Sequence, residues 1–97
     1  MNTGSKLTFL KSAKKEWDKL SPPIQKQFKA KLVQRLENPN VPKDRLASMT
    51  DCYKIKLRAS GYRLVYKVID NKITVQVIAV GKRDKDEVYK LAHYRLM

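Results

Sequence analysis

The sequence predicts a small α+β domain in which two helices cover one face of an antiparallel sheet. Three observations predict this fold class. The chain has 97 residues, which is enough for one domain and one core. Apolar residues recur at helical spacing in its N-terminal part, and segments rich in Val, Ile and Tyr dominate its C-terminal part. We therefore expect the order β-α-α-β-β-β-α within a single domain spanning residues 1–97.

The N-terminal part predicts a short strand followed by a helical hairpin. Residues 6–10 have strand character, and residues 11–20 form an amphipathic helix. Ser21 followed by Pro22 is typical of a helix N-terminus, and Asn38-Pro39 ends the second helix. The apolar stripes of the two helices should pack on the sheet; they comprise Leu10, Ala13, Trp17 and Leu20, then Ile24, Phe28, Leu32, Val33 and Leu36.

Three strands and a final helix are predicted after a polar loop. Residues 38–50 form the loop, with a turn of helix at 43–49. Strands are expected at 52–59, 62–69 and 72–80, separated by turns at Ser60-Gly61 and Asp70-Asn71. Residues 84–95 should form the last helix, with Val88, Leu91 and Leu96 facing inward.

Two-residue loops at both turns would set the register of the sheet. Arg58 would then pair with Arg63, and Leu64 with both Leu57 and Val77. One face becomes an apolar core of Tyr53, Ile55, Leu57, Leu64, Tyr66, Val68, Ile73, Val75, Val77 and Ala79. The opposite face carries Lys54, Lys56, Arg58, Arg63, Lys67, Thr74 and Gln76. Lys82 and Arg83 join this basic face at the end of the last strand, and so does Tyr89 if the final helix folds back over the rim.

The charge of the chain points to a polyanionic partner. Lys and Arg number 22 against 9 Asp and Glu, a formal charge of +13. Charged residues scattered over a sequence usually lie on a surface that is simply exposed to solvent. Here, however, adjacent like charges repel across strands, and no acidic residue is interleaved to relieve them. An anionic ligand would supply the countercharge. No membrane span or signal peptide is apparent, and the single cysteine, Cys52, fits a packed thiol in a reducing compartment. We therefore expect a cytoplasmic protein without a membrane partner.

The residue types favour metal-independent RNA cleavage. The acidic residues are dispersed, and one histidine, His93, cannot form a paired-histidine site. We expect no metal and no cofactor. RNA supplies its own nucleophile, the 2′-hydroxyl, so the protein must orient it, remove its proton and stabilise the phosphate. A lysine crowded by other cations has a lowered pKa and becomes a plausible base. Cleavage would leave a 2′,3′-cyclic phosphate.

Four segments resemble the RelE toxins of bacterial toxin–antitoxin systems. They are residues 52–58 (CYKIKLR), 60–66 (SGYRLVY), 80–83 (VGKR) and 87–89 (EVY). The resemblance covers nearly the whole chain and is closer to RelE itself than to the wider RelE/ParE superfamily. It implies a RelE-like, microbial RNase-like fold and a ribosome-dependent endoribonuclease that cuts mRNA in the ribosomal A site. It also implies an acidic antitoxin of the RelB type as partner, with the free toxin a monomer.

The resemblance also implies roles for individual residues. Lys54 and Lys56 match the catalytic strand lysines, Arg63 the phosphate-binding arginine, Arg83 the transition-state stabiliser or acid, and Tyr89 the C-terminal tyrosine. Arg58, Lys67 and Lys82 are predicted to bind RNA outside this set. The general base is either a lysine or Tyr89. A crowded lysine is favoured because it has a physical reason to lose its proton.

Two other functional classes stay open at this stage. A gyrase-poisoning toxin of the related ParE kind would share the fold but leave the set of lysines, arginines and tyrosine without a purpose. A noncatalytic RNA or ribosome binder would need the charge but not Arg83 and Tyr89 together. Mapping of new 5′ ends within codons of a translated message distinguishes the three classes.

Overall fold

The computed structural model describes residues 6–69, 74–82 and 87–97 and confirms the predicted fold class and element order. Strand β1 (Lys6–Phe9) precedes helices α1 (Lys11–Asp18) and α2 (Pro22–Glu37). A 3-10 turn (Pro42–Asp44) leads to strands β2 (Cys52–Leu57), β3 (Tyr62–Ile69) and β4 (Thr74–Lys82), and helix α3 (Glu87–Leu96) follows. The predicted Asp70-Asn71 turn and residues 72–73 and 84–86 lie outside the described residues.

The sheet has four strands in the order β1-β4-β3-β2. Neighbours β2, β3 and β4 are antiparallel, as predicted, whereas β1 runs parallel to β4 with Leu7 opposite Val75. The sheet is therefore mixed, and β2 is an outer strand. Both helices of the hairpin lie between β1 and β2 in sequence, so they can cover the face of the sheet between its two outer strands.

The main core lies between the helical hairpin and one face of the sheet. Ala13, Trp17 and Leu20 are buried there, and Phe28 and Leu32 are buried on α2. The prediction for Val33 was wrong, because this side chain is 59% exposed. Val33 lies 100° around the helix from Leu32 and so leaves the stripe that Phe28 and Leu32 continue. Ser21 makes no side-chain cap, although its carbonyl accepts the N–H of Gln25.

The β2–β3 connection is longer than predicted. Lys56 pairs with Arg63 and Leu57 with Tyr62, so a four-residue loop, Arg58 to Gly61, replaces the expected two-residue turn. Gly61 has φ 79° and its N–H donates to the carbonyl of Leu57 at 2.9 Å. A positive φ favours glycine, and the chain can turn here without strain. The register differs from the predicted one by an even number of residues, so each side chain of β2 stays on its predicted face.

A β-bulge changes the second half of β4. Tyr66 pairs with Val77 but Val65 pairs with Ala79, and Ile78 lies between the two pairs. The prediction for Ala79 was therefore wrong: it lies on the face opposite the hairpin, and Val80 takes its place in the main core. Ile73, the other predicted core member of this segment, lies outside the described residues.

A second, smaller core lies on the opposite face beneath α3. Cys52, Val65, Ile78 and Ala79 of the sheet are fully buried against Val88 and Ala92 of the helix. Leu91 and Leu96, which were predicted to face inward, are only partly buried there. The basic face thus shares its side of the sheet with an apolar patch that holds α3. Within the described residues, no helix has the length and apolar character needed to cross a membrane.

Candidate RNA-binding and catalytic site

The candidate site is built on the outer strand β2 and its neighbour β3. Register pairs share a face, so Lys56 lies beside Arg63, Lys54 beside Val65, and Lys67 beside Cys52. Cys52 and Val65 belong to the smaller core under α3. The four basic side chains therefore lie on the α3 side of the sheet, as predicted, along one edge of that core. The pairing that joins two cations is Lys56–Arg63 rather than Arg58–Arg63.

Lys56 is exposed and crowded by other cations. Lys54, then Arg63 and to a smaller extent Arg58 lower its pKa from the ordinary lysine value, while Asp44 opposes the effect. Like charges disfavour the protonated ammonium, so a larger fraction of Lys56 is neutral at a given pH. Lys56 is thus the lysine in this cluster with a physical reason to accept a proton.

Tyr89 is held against Arg63 by a direct hydrogen bond. The Nη1 of Arg63 donates to the Oη of Tyr89 at 2.9 Å, and the guanidinium carbon lies 5.6 Å from the ring centroid. Both side chains are half-buried. The bond takes up one acceptor position of the phenol and leaves its own O–H available to donate. Helix α3 therefore brings Tyr89 to the basic face, as predicted.

A cavity of about 250 Å³ opens beside this pair. It is lined by Lys56, Leu57, Arg58, Gly61 and Arg63. Arg58 is exposed in the four-residue loop and reaches the cavity from there, not from a strand position. Guanidinium groups form planar forks that match phosphate oxygens, and a group of this charge suits a phosphodiester.

An ion pair fastens the far end of α3 to α1. Arg95 donates to both carboxylate oxygens of Glu16, at 2.9 and 2.8 Å, and to the carbonyl of Ile78 at 2.8 Å. Glu16 also accepts the N–H of Val80 at 3.1 Å. The two side chains are 16% and 25% exposed. This Glu16–Arg95 clamp is the charged anchor of the helix that carries Tyr89.

Arg35 organises the other side of the outer strand. It is paired with Asp44 at 2.6 Å and donates to the Tyr66 hydroxyl at 2.8 Å and the Lys54 carbonyl at 3.3 Å. The Tyr66 hydroxyl donates in turn to the Pro39 carbonyl at 2.6 Å. Burial raises the pKa of Tyr66, opposed by its bond from Arg35. The network ties α2 and the 3-10 turn to β2 and β3.

The remaining predicted residues fall in different places. Arg83 lies outside the described residues. Lys67 lies beside Cys52. Burial raises the pKa of the Cys52 thiol, and the positive charge of Lys67 opposes this increase only in part. Lys82 pairs with Tyr62 and its ammonium lies 5.9 Å from that ring centroid. Tyr62 packs on the main core, so the bulge places Lys82 towards the hairpin side, away from the face of Arg63. This location contradicts the prediction that Lys82 joins the basic face.

Sequence reasoning missed Glu16, Arg35, Asp44 and Arg95. For three of them the sequence carries a signal. Glu16 lies three residues after Ala13 and four before Leu20, Arg35 lies three residues after Leu32, and Arg95 lies seven residues after Val88 and four after Leu91. A charged residue at the spacing of a buried stripe indicates a buried ion pair. Asp44 follows no such pattern.

Comparisons with known proteins agree with the resemblance. The family described as "ParE toxin of type II toxin-antitoxin system, parDE" matches residues 7–87. The chain is 54% identical to the "mRNA interferase toxin RelE" of Escherichia coli strain K12 over 91 residues, 94% of this chain and 96% of the relative.

Solved structures give the same result for the fold. A mutant of the E. coli toxin RelE in the free state aligns with a TM-score of 0.88 at 50% identity, covering 98% of this chain and 100% of that one. A mutant of the same toxin in complex with an antitoxin RelBc peptide aligns with a TM-score of 0.79 at 52% identity, covering 93% and 95%. The chain belongs to the RelE/ParE superfamily of type II toxin–antitoxin toxins, on its RelE branch.

Proposed function

We propose that this chain is an mRNA endoribonuclease toxin that works without a metal or cofactor in the cytoplasm and cleaves mRNA in the ribosomal A site. The observation that carries the proposal is the Lys56–Arg63–Tyr89 cluster: a lysine with lowered pKa, paired across strands with an arginine that binds a tyrosine hydroxyl. A relative named mRNA interferase toxin RelE, 54% identical over 91 residues, supports it.

The reaction needs one proton removed and one supplied. Neutral Lys56 accepts the proton of the RNA 2′-hydroxyl, whose oxygen attacks the adjacent phosphorus. The bond from phosphorus to the 5′-oxygen breaks, leaving a 2′,3′-cyclic phosphate and a 5′-hydroxyl. Lys54 and Arg63 stabilise the charge that develops on the phosphate oxygens. Arg83 is proposed to protonate the leaving oxygen, and Tyr89 to hold Arg63 in place or stack on a base.

The proposed partners follow from charge and from the relatives. The ribosome would hold the mRNA strand in the geometry that these side chains need, because lysine and arginine exchange protons poorly at neutral pH. An acidic RelB-like antitoxin would neutralise the toxin, since a structure of the E. coli toxin contains an antitoxin RelBc peptide. A formal charge of +13 suits both partners. The free toxin is proposed to be a monomer in which residues 1–97 form one domain.

Ribosomes programmed with a defined message test the proposal. Purified toxin should create new 5′ ends within A-site codons, detected by primer extension, and mass spectrometry should find 2′,3′-cyclic phosphates at the upstream fragments. Cleavage should stop when antitoxin is added. A 3′-hydroxyl product would overturn the proposed chemistry.

A second candidate, gyrase inhibition, is favoured by one observation: the matching family is described as the ParE toxin of parDE. DNA supercoiling by gyrase in the presence of the toxin separates the two candidates. We expect supercoiling to be unaffected at toxin concentrations that cleave mRNA on ribosomes. Inhibition of supercoiling without mRNA cleavage would replace the proposed function by the ParE-like one.

A further inference from the structure

A second cleft lies on the outer side of β2, next to the candidate site. It has a volume of about 440 Å³ and is bounded by α2, the 3-10 turn and the end of β2. Lys31, Gln34 and Arg35 line it from α2 and Asn38 from the position just after that helix, and their spacing of three and four residues forms one stripe. Arg35 also lies three residues after Leu32, so this stripe borders the one that Phe28 and Leu32 bury in the main core.

The cleft is strongly cationic. Lys31, Lys43, Lys56 and Arg58 line it from different walls. In the part of the chain that the structure describes, Asp44 is the only acidic side chain at the cleft, and Arg35 already pairs with it at 2.6 Å. The remaining four positive charges thus face the cleft without an acidic lining residue of their own. Their mutual repulsion is relieved when an anion binds between them.

The walls are held in place before any ligand arrives. The Arg35 side chain is only 13% exposed, and it bonds Asp44 of the 3-10 turn, Tyr66 of β3 and the carbonyl of Lys54 on β2. Three elements are joined through this single guanidinium. A preformed site loses less entropy on binding than a group of mobile surface lysines would lose.

The cleft is continuous with the candidate catalytic cavity. Lys56 and Arg58 line both the 440 Å³ cleft and the 250 Å³ cavity that contains Arg63. A strand of RNA whose scissile phosphate lies at Lys56 and Arg63 can therefore pass over the outer edge of β2 into the cleft. The cleft is the next place of positive charge along that route.

We propose that this cleft binds one nucleotide of single-stranded RNA, with its phosphate between Lys31 and Lys43. The Gln34 and Asn38 amides, which can both donate and accept, would bond the base edge or ribose hydroxyl. The inference rests on the proposed function and adds a binding subsite to it. The phosphate belongs either to the substrate strand or to ribosomal RNA, which have the same chemistry.

Two matched double variants test the subsite. Lys31→Ala/Lys43→Ala removes two charges from the cleft, and the control Lys26→Ala/Lys29→Ala removes two exposed charges from the opposite side of α2. Binding of a fluorescent single-stranded RNA oligonucleotide is measured by anisotropy across a salt series, in the absence of ribosomes. We expect the cleft variant to bind about tenfold more weakly. The magnitude of its logarithmic salt slope should fall by about 0.7, as for one lost phosphate contact.

Ribosome binding and cleavage identify the source of the phosphate. Weaker binding of the cleft variant to both the oligonucleotide and the ribosome assigns the cleft to the substrate strand, and weaker binding to the ribosome alone assigns it to ribosomal RNA. The control variant Lys26→Ala/Lys29→Ala should keep the wild-type single-turnover cleavage rate. Equal losses in the cleft and control variants would overturn the subsite. Failure of the wild-type chain to cleave mRNA would overturn the proposed function instead, and the binding comparison would still stand.

Discussion

Lys56 shows how neighbouring charges can change the chemistry of an exposed side chain. Its pKa is lowered chiefly by Lys54, then by Arg63 and Arg58. Solvent surrounds the ammonium, so the shift comes from crowding by cations more than from burial. A group of this kind acts as a base over a range of pH that an isolated lysine would not reach.

Replacing Lys54 by Met should therefore move the pH dependence of cleavage. If neutral Lys56 is the base, the rate rises with pH until it passes the pKa of Lys56 and levels off above it. Lys54→Met raises that pKa towards the ordinary value, so the rising limb moves to higher pH. Single-turnover rates across a pH series measure the shift. Lys67→Met, which removes a charge from the same face but is not a cause of the Lys56 shift, serves as the control.

A lower plateau in Lys54→Met with an unmoved rising limb would contradict this role for Lys56. That result would mean that Lys54 contributes to phosphate stabilisation only and that another group accepts the proton. Arg58→Gln provides an independent check, because Arg58 is a smaller cause of the same shift. In Arg58→Gln, the rising limb of the pH–rate profile should move in the same direction as in Lys54→Met, but by a smaller amount.

Helix α3 is positioned by contacts on both of its ends. Near its start, Val88 packs so closely on β4 that a Cβ on Gly81 would lie 3.1 Å from the Val88 Cγ2. Near its end, the Glu16–Arg95 clamp fastens it to α1 and to β4. Tyr89 directly follows Val88 in the helix. Both contacts therefore help to fix the position of the Tyr89 phenol, whose hydroxyl Arg63 binds.

Gly81→Ala should lower activity by displacing α3. The added methyl requires Val88 to move by a few tenths of an ångström, and overpacking of this kind costs about 1 kcal/mol of stability. We expect the single-turnover rate to fall severalfold because Tyr89 moves with Val88. The double variant Gly81→Ala/Val88→Ala restores the space. Its rate should recover although its stability does not, and a rate that stays low would contradict the steric explanation.

Breaking the Glu16–Arg95 clamp should loosen α3 locally. Arg95→Met leaves Glu16 partly buried without its cation, at a cost of about 1–2 kcal/mol. Backbone amides of α3 should then exchange hydrogen about tenfold faster, while those of β3 change little. Uniform acceleration across the molecule would indicate a general loss of stability instead. A double-mutant cycle with Glu16→Gln measures the coupling between the two side chains.

The elements were predictable to the extent that they follow local pattern. The helical hairpin and β3 follow from the periodicity of their apolar residues. The length of the β2–β3 loop was predicted wrongly, but the strand residues of the basic face were still assigned to the correct side, because the register changed by an even number of residues. The bulge at Ile78 has no local signature, so Ala79 and Lys82 were assigned to the wrong faces. Glu16 and Arg95 are 79 residues apart, and their pairing depends on the tertiary arrangement of α1 and α3.

At the scale of the whole molecule, electrostatics should dominate RNA affinity. The basic face provides Lys54, Lys56, Arg63 and Lys67, and Arg58 adds a fifth positive charge from the β2–β3 loop. If these five neutralise about five phosphates of a single strand, the logarithm of the association constant should fall with the logarithm of salt concentration with a slope of roughly −3.5. Filter binding of an RNA oligonucleotide across a salt series measures the slope. A flat response would contradict the electrostatic basis of binding.

Arg58→Ala and Lys67→Ala test affinity at the same scale, and Lys67→Ala also separates affinity from chemistry. Each should reduce the magnitude of the salt slope by about 0.7 and weaken binding. The single-turnover rate at saturation should change little for Lys67→Ala, since Lys67 lies beside Cys52 and not at the Lys56–Arg63 pair. A large loss of rate in Lys67→Ala would mean that this lysine acts at the reacting phosphate.

The bulge at Ile78 also determines where β4 tolerates a change in length. Val77 and Ala79 pair with consecutive residues of β3, Tyr66 and Val65, so a chain lacking Ile78 could keep both pairs and every pair that follows. It would lose one buried side chain of the smaller core but keep Gly81 opposite Arg63 and Val80 in the main core. If Ala79 is deleted instead, Ile78 can pair with Val65, and every later residue of β4 keeps its present face of the sheet. A deletion after Val80, by contrast, would turn Lys82 onto the Arg63 face. Among relatives of this chain, a one-residue gap at 78–79 should therefore be compatible with activity, and a gap at 81 should not.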